Sequence, residues 1–78
     1  MIQNKTHYRY EVTTADTEQE LKRNGGQKEI RTRLTDAMQY ALQQAQTHPY
    51  VYVEKVNMNE QNDPVDFEFI WSHNPNNW

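Results

Sequence analysis

Between residues 34 and 72 the hydrophobic period changes once, and that change limits what the chain can fold into. Leu34, Ala37, Met38, Ala41, Leu42 and Ala45 recur at helical spacing and form one apolar stripe. From Tyr50 the period drops to two. Tyr50-Val51-Tyr52-Val53-Glu54-Lys55-Val56 and Val65-Asp66-Phe67-Glu68-Phe69-Ile70-Trp71 are both rich in aromatic and β-branched residues. Such runs are strands. A helix feeding two strands needs a sheet to pack on, so the rest of the chain must supply more strand.

It does so near its start. Thr6, Tyr8, Tyr10 and Val12 alternate with His7, Arg9, Glu11 and Thr13, a half-buried strand. Asn24-Gly25-Gly26 is a turn. Before it, Asp16, Glu18 and Glu20 precede Lys22 and Arg23, the charge order of a short helix closed by glycine. Leu21 is almost its only apolar residue, so a loop fits residues 14–26 equally well. After the turn, Ile30, Thr32 and Leu34 alternate as in a strand, while Ile30, Leu34, Met38 and Leu42 continue the helical spacing backwards. A short strand over 28–32 is preferred, with Thr32 as a candidate helix N-cap. Pro49 disfavours helical geometry at His48, so the helix should end near Thr47. Residues 57–64 read as a polar hairpin loop.

The expected fold class is therefore α+β: an antiparallel sheet of three to four strands, with one amphipathic helix packed on one face, in the order β-β-α-β-β. Residues 1–73 form the single domain and 74–78 a polar tail. One helix covers one sheet face, so the other face is wet or meets a partner. The strand at 50–56 is apolar on both sides, with Val51 and Val53 on one and Tyr50, Tyr52 and Val56 on the other. The strand at 65–71 reads as simple core packing, its rings on one face and Asp66 and Glu68 on the other.

Composition narrows the function. The hydrophobic share is only 35% while aromatics reach 12%, so a few large rings must carry much of the burial. Net charge is −3, which weighs against direct nucleic-acid binding, because that needs clustered Lys and Arg. Absent cysteine excludes disulfides and thiolate metal sites and fits a reducing cytoplasm. No membrane span and no secretion signal are expected, since no apolar run is long enough. His7, His48 and His73 are too scattered for a metal site. No phosphate loop or nucleophile motif occurs. The expectation is no enzyme, no cofactor and no metal.

What remains is a binding surface. Tyr50 and Tyr52 stand opposite the helix-facing valines, where tyrosine is an effective interface anchor. Glu11, Glu54, Asp66 and Glu68 are expected beside them on one acidic sheet face, suited to a basic partner. The short strand, Thr32-Arg33-Leu34-Thr35-Asp36-Ala37 opening an alanine-spaced helix, and Tyr50-Val51-Tyr52-Val53-Glu54 together resemble small phage-encoded anti-defence proteins, including anti-CRISPR inhibitors. The resemblance is architectural and covers residues 6–71. It implies an inhibitor that occupies a protein or nucleoprotein surface of its host. The alternatives are a self-associating module, with a homodimer interface on the same strand, and a single-strand nucleic-acid binder using its rings.

Overall fold

The structure, a computed structural model, describes residues 7–74. Its elements in chain order are β1 (His7–Ala15), α1 (Glu18–Asn24), β2 (Gln27–Arg31), α2 (Leu34–Gln44), β3 (Tyr50–Met58) and β4 (Pro64–His73). The four strands make one antiparallel sheet in the order β2-β1-β3-β4. The α+β architecture follows the sequence expectation, with a second, short helix added between β1 and β2.

That helix exists because its ends are well provided for. Thr17 is the N-cap, its Oγ1 accepting from the Glu20 N–H at 3.0 Å. Glu20 reaches back, its Oε1 accepting from the Asp16 N–H at 3.0 Å. Side-chain acceptors of this kind satisfy the amides that a helix start leaves unpaired. Gly25, at φ 72°, closes the other end in the left-handed region. Thr17→Ala should cost about 1 kcal/mol. Hydrogen exchange would show the loss as faster exchange confined to α1.

The helix α2 lies across β1, β3 and β2. Ala37 and Ala41 are fully buried against Tyr10, Val12, Val51 and Val53. Met38, Tyr40, Ala45, Ile70 and Trp71 pack around this cluster. The expected stripe is therefore shifted. Alanine brings the helix axis close to the sheet, and a close helix leaves no room for leucine at its flanks. Leu34, on the first turn, is 42% exposed and Leu42 is 52% exposed. Tyr40 takes the flank instead, with the Arg31 guanidinium 4.8 Å from its ring centre. Glu29 hydrogen-bonds that guanidinium and raises the Arg31 pKa above its ordinary value. The helix begins after Arg33, which makes no side-chain cap, rather than after Thr32.

The β3–β4 connection is tighter than the sequence suggests, since β3 runs on to Met58. Asn59 organises it: its Oδ1 accepts from the amides of Gln61 (2.9 Å) and Asp63 (3.0 Å). Asn62 supplies the positive φ of 66° that the turn requires.

The strand β4 departs from expectation. Its register against β3 shifts twice: Val53 pairs with Trp71 but Glu54 with Phe69, and Asn57 with Asp66 but Met58 with Pro64. Ile70 and Val65 are thus bulged residues. A bulge reverses the side-chain parity of everything beyond it. Trp71 follows Val53 onto the α2 side, whereas Phe69 follows Glu54 onto the opposite face. Simple core packing of this strand is consequently not found: Val65, Phe67 and Phe69 are 62%, 53% and 65% exposed. At the end of β4, Asn74 is buried. The rest of the expected tail, 75–78, lies outside the described residues, as does Thr6 of the first strand.

Candidate interaction face

The sheet face turned away from α2 is built row by row from the strand register. Glu11 of β1 pairs with Ile30 and Glu54, and Glu54 with Phe69. Thr13 pairs with Lys28 and Tyr52, and Tyr52 with Ser72. Arg9 pairs with Val56, and Val56 with Phe67. Directly opposed residues in an antiparallel pair share a face, so these rows define a continuous surface.

Its centre is mixed in charge and well satisfied. Glu11 is buried, and one carboxylate oxygen accepts from Arg9 Nη2 at 2.9 Å and Nε at 3.1 Å. That guanidinium offsets the like charge of Glu54, which sits across from Glu11. Lys28 Nζ donates to Thr13 Oγ1 at 3.2 Å. Val56 is wholly buried, shielded in its row by Arg9 and Phe67.

One end of the face is hollow. Leu21 from α1, Tyr50, Val51 and Tyr52 from β3, Phe69, Ser72 and His73 from β4, and Asn74 just beyond it line a groove of about 390 Å³. Its exposed lining is almost wholly apolar. The position of α1 creates it. Ala15 ends β1 opposite Tyr50, and the chain then leaves the sheet at Asp16. Asp16 Oδ1 lies 2.8 Å from His48 Nδ1, tying this corner to the connection that leads into β3. The single leucine of α1 is thereby set against the two tyrosines. A helix with only one apolar residue has little to bury, and here that residue forms a groove wall.

Of the residues that the sequence marks out, Tyr50, Tyr52, Glu54 and Glu11 do share this face. Asp66 and Glu68 are not brought together with them. They pair with Asn57 and Lys55 and so lie on the α2 side of β4, where Asn57 Nδ2 donates to Glu68 (3.2 Å) and Asp66 (3.5 Å). The bulge at Ile70 divides the four acids. Sequence reasoning missed Leu21 and Ser72 as groove residues and assigned Phe69 to the core. A signal for Phe69 was present: Phe69-Ile70-Trp71 is three apolar residues running, which strict alternation cannot place on one face.

Of the histidines, His73 is on the groove wall and His48 is not. His48 meets Asp16, and His73 stacks on Trp71 with centroids 6.4 Å apart. Among the described residues no group of three or more His, Asp or Glu side chains could hold a metal ion, and no helix is long and apolar enough to cross a membrane. What the face offers is apolar area, tyrosine side chains and an adjacent sheet edge. No protein-family model, no curated protein and no solved structure matches the chain. The face itself must therefore carry the functional argument.

Proposed function

We propose that this chain is a small non-enzymatic binding protein that inhibits or modulates a macromolecular partner by docking through the open face of its sheet. One observation carries the reading: Phe69, 65% exposed, lines the apolar groove with Leu21, Tyr50 and Tyr52, and Phe67, 53% exposed, continues the same sheet face opposite Val56. Contiguous exposed apolar surface on a small domain marks an interaction site. Rigid aromatic rings around a hollow are the usual anchors of such a site.

The partner is a protein or nucleoprotein complex. The architectural resemblance of the sequence to phage anti-defence proteins suggests a host complex as target and an anti-CRISPR type of action, by analogy of fold alone. The cysteine-free sequence suits a reducing cytoplasm. Binding of single-stranded nucleic acid is less well supported. It needs free cations along the backbone path, and on this face Arg9 is taken up by Glu11 while Glu54 adds negative charge.

The test is affinity capture from host lysate with the wild type and with the Tyr52→Ala/Phe69→Ala variant. Circular dichroism establishes that the variant is folded. The variant should lose a wild-type partner, with affinity reduced by about tenfold or more, as for removal of anchor residues. Equal recovery of every protein by both would overturn the reading.

A further inference from the structure

The open face does not end at the groove, because among the described residues β4 is the outermost strand of the sheet. Resting on the docking reading above, we infer that the partner's contact segment is an extended strand, alternating apolar residues with Lys or Arg, that adds to the free edge of β4.

The two edges of the sheet differ. The outer strand β2 has five residues and carries Lys28 and Arg31, and lysine on an edge discourages pairing. The outer strand β4 has ten residues. Between its bulges at Val65 and Ile70, residues 66–69 run in regular register with β3. An antiparallel strand bonded on one side leaves alternate amides and carbonyls pointing outward. An added strand would satisfy them, as in recognition by β-augmentation.

The side chains beside that edge specify the occupant. Phe67 and Phe69 lie on the groove side; Asp66 and Glu68 lie on the other. No cation of the chain pairs with either acid among the described residues. Lys55, directly opposite Glu68, instead holds its ammonium 4.5 Å from the Tyr8 ring centre. Among the described residues Asn57 donates to both carboxylates. Cross-strand neighbours contribute most when ring meets apolar side chain and acid meets base. Strand side chains alternate between faces. A strand laid on β4 therefore gains with apolar residues against Phe67 and Phe69 and with basic residues against Asp66 and Glu68.

The same charges disfavour a second copy. Antiparallel self-pairing centred on Phe67 sets Glu68 opposite Asp66 of the other copy. Centred on Glu68, it sets the two Glu68 carboxylates against each other. Like charges directly opposed are destabilising, and each chain carries a net −3.

Calorimetry with synthetic peptides of roughly ten residues, about the length of a long strand, tests the inference. The probes are an alternating Val–Lys peptide, the same peptide N-methylated at every second residue, and an alternating Val–Glu peptide. The Val–Lys peptide should bind, with amide shifts at residues 66–69. The other two should bind at least about tenfold more weakly, the methylated one because it cannot complete the ladder. Asp66→Lys/Glu68→Lys should reverse the preference between Val–Lys and Val–Glu. The inference is overturned if Val–Lys does not bind, if methylation leaves its affinity unchanged, or if the chain alone dimerises through β4. A captured partner that is lost on Tyr52→Ala/Phe69→Ala but kept on Asp66→Lys/Glu68→Lys would preserve the docking reading while removing the added strand.

Discussion

Gly26→Ala is expected to lower the unfolding midpoint by roughly 15 °C, more than any other single-methyl addition at a turn of this chain. Gly26 lies where α1 hands over to β2, at φ 73°. A Cβ there would stand 2.5 Å from the Thr14 carbonyl oxygen and 3.0 Å from Thr13 Cγ2. Neither neighbour can yield cheaply. Both threonines are buried in β1, and both are paired with β2 on one side and β3 on the other. Left-handed geometry and a backbone clash together should cost about 2–3 kcal/mol. In a domain of this size each kcal/mol moves the midpoint by roughly 4–8 °C. Gly25→Ala is the matched control. Its φ is 72°, but its nearest neighbour is Lys28 Nζ at 3.9 Å, the mobile end of a side chain. Only the conformational term remains, about 1 kcal/mol. Thermal melts followed by circular dichroism decide the matter. Equal losses at the two glycines would show that close approach to β1 is not what Gly26 provides. The same turn closes α1, which carries Leu21 of the groove wall.

The legible features of the fold were those governed by local periodicity. The alternations around Tyr10 and Tyr52 gave strands, and the face assignment of Val51 and Val53 against Tyr50 and Tyr52 held because no bulge interrupts β3. The Asn24-Gly25-Gly26 signal held because positive φ is costly for almost any other residue. The strand expected over 28–32 is found one residue earlier, at Gln27–Arg31, although the helical spacing of Ile30 and Leu34 competes with it. Ile30 is 48% exposed on the edge of the open face, so its match to the α2 stripe was coincidental.

One feature is undecided in the sequence between helix and loop and another is not legible, for different reasons. The helix α1 depends on Thr17 and Glu20 exchanging hydrogen bonds with the backbone, whereas its apolar pattern is too weak to announce it. The split of the acidic residues depends on one extra residue, Ile70. Read as a regular strand, 65–71 puts three rings on the core and two acids on the open face. With the bulge, the rings at 67 and 69 change sides with Asp66 and Glu68. The candidate site was therefore half visible: the tyrosines were placed, but the aromatic wall beside them was read as core.

The alanine face of α2 supplies the second large effect. Ala41→Leu should destabilise the chain by about 2–3 kcal/mol, the cost of forcing extra methylenes into a filled core. Ala41 is fully buried and meets a surface of Val12, Val51, Val53 and Tyr10, all of them held by the sheet. A longer side chain can be accommodated only if the helix rises from the sheet, which would also uncover Ala37 and Met38. Leu42→Lys, one residue away, should change stability by no more than about 0.5 kcal/mol, because the leucine is already half in water. The sequence stripe does not make this distinction, since it places Ala41 and Leu42 on the same buried face. Urea titration separates the two. Ala41→Leu should move the midpoint with the slope unchanged, the mark of an altered native state rather than an altered unfolded one. If Leu42→Lys proved the costlier substitution, the helix would have to be rotated about its axis from the orientation described. Tyr40 would then swing away from Arg31, and the core beneath α2 would be a leucine core. A close-packed alanine contact instead confines the helix to one face and leaves the other face of this small sheet to Leu21 and the tyrosines.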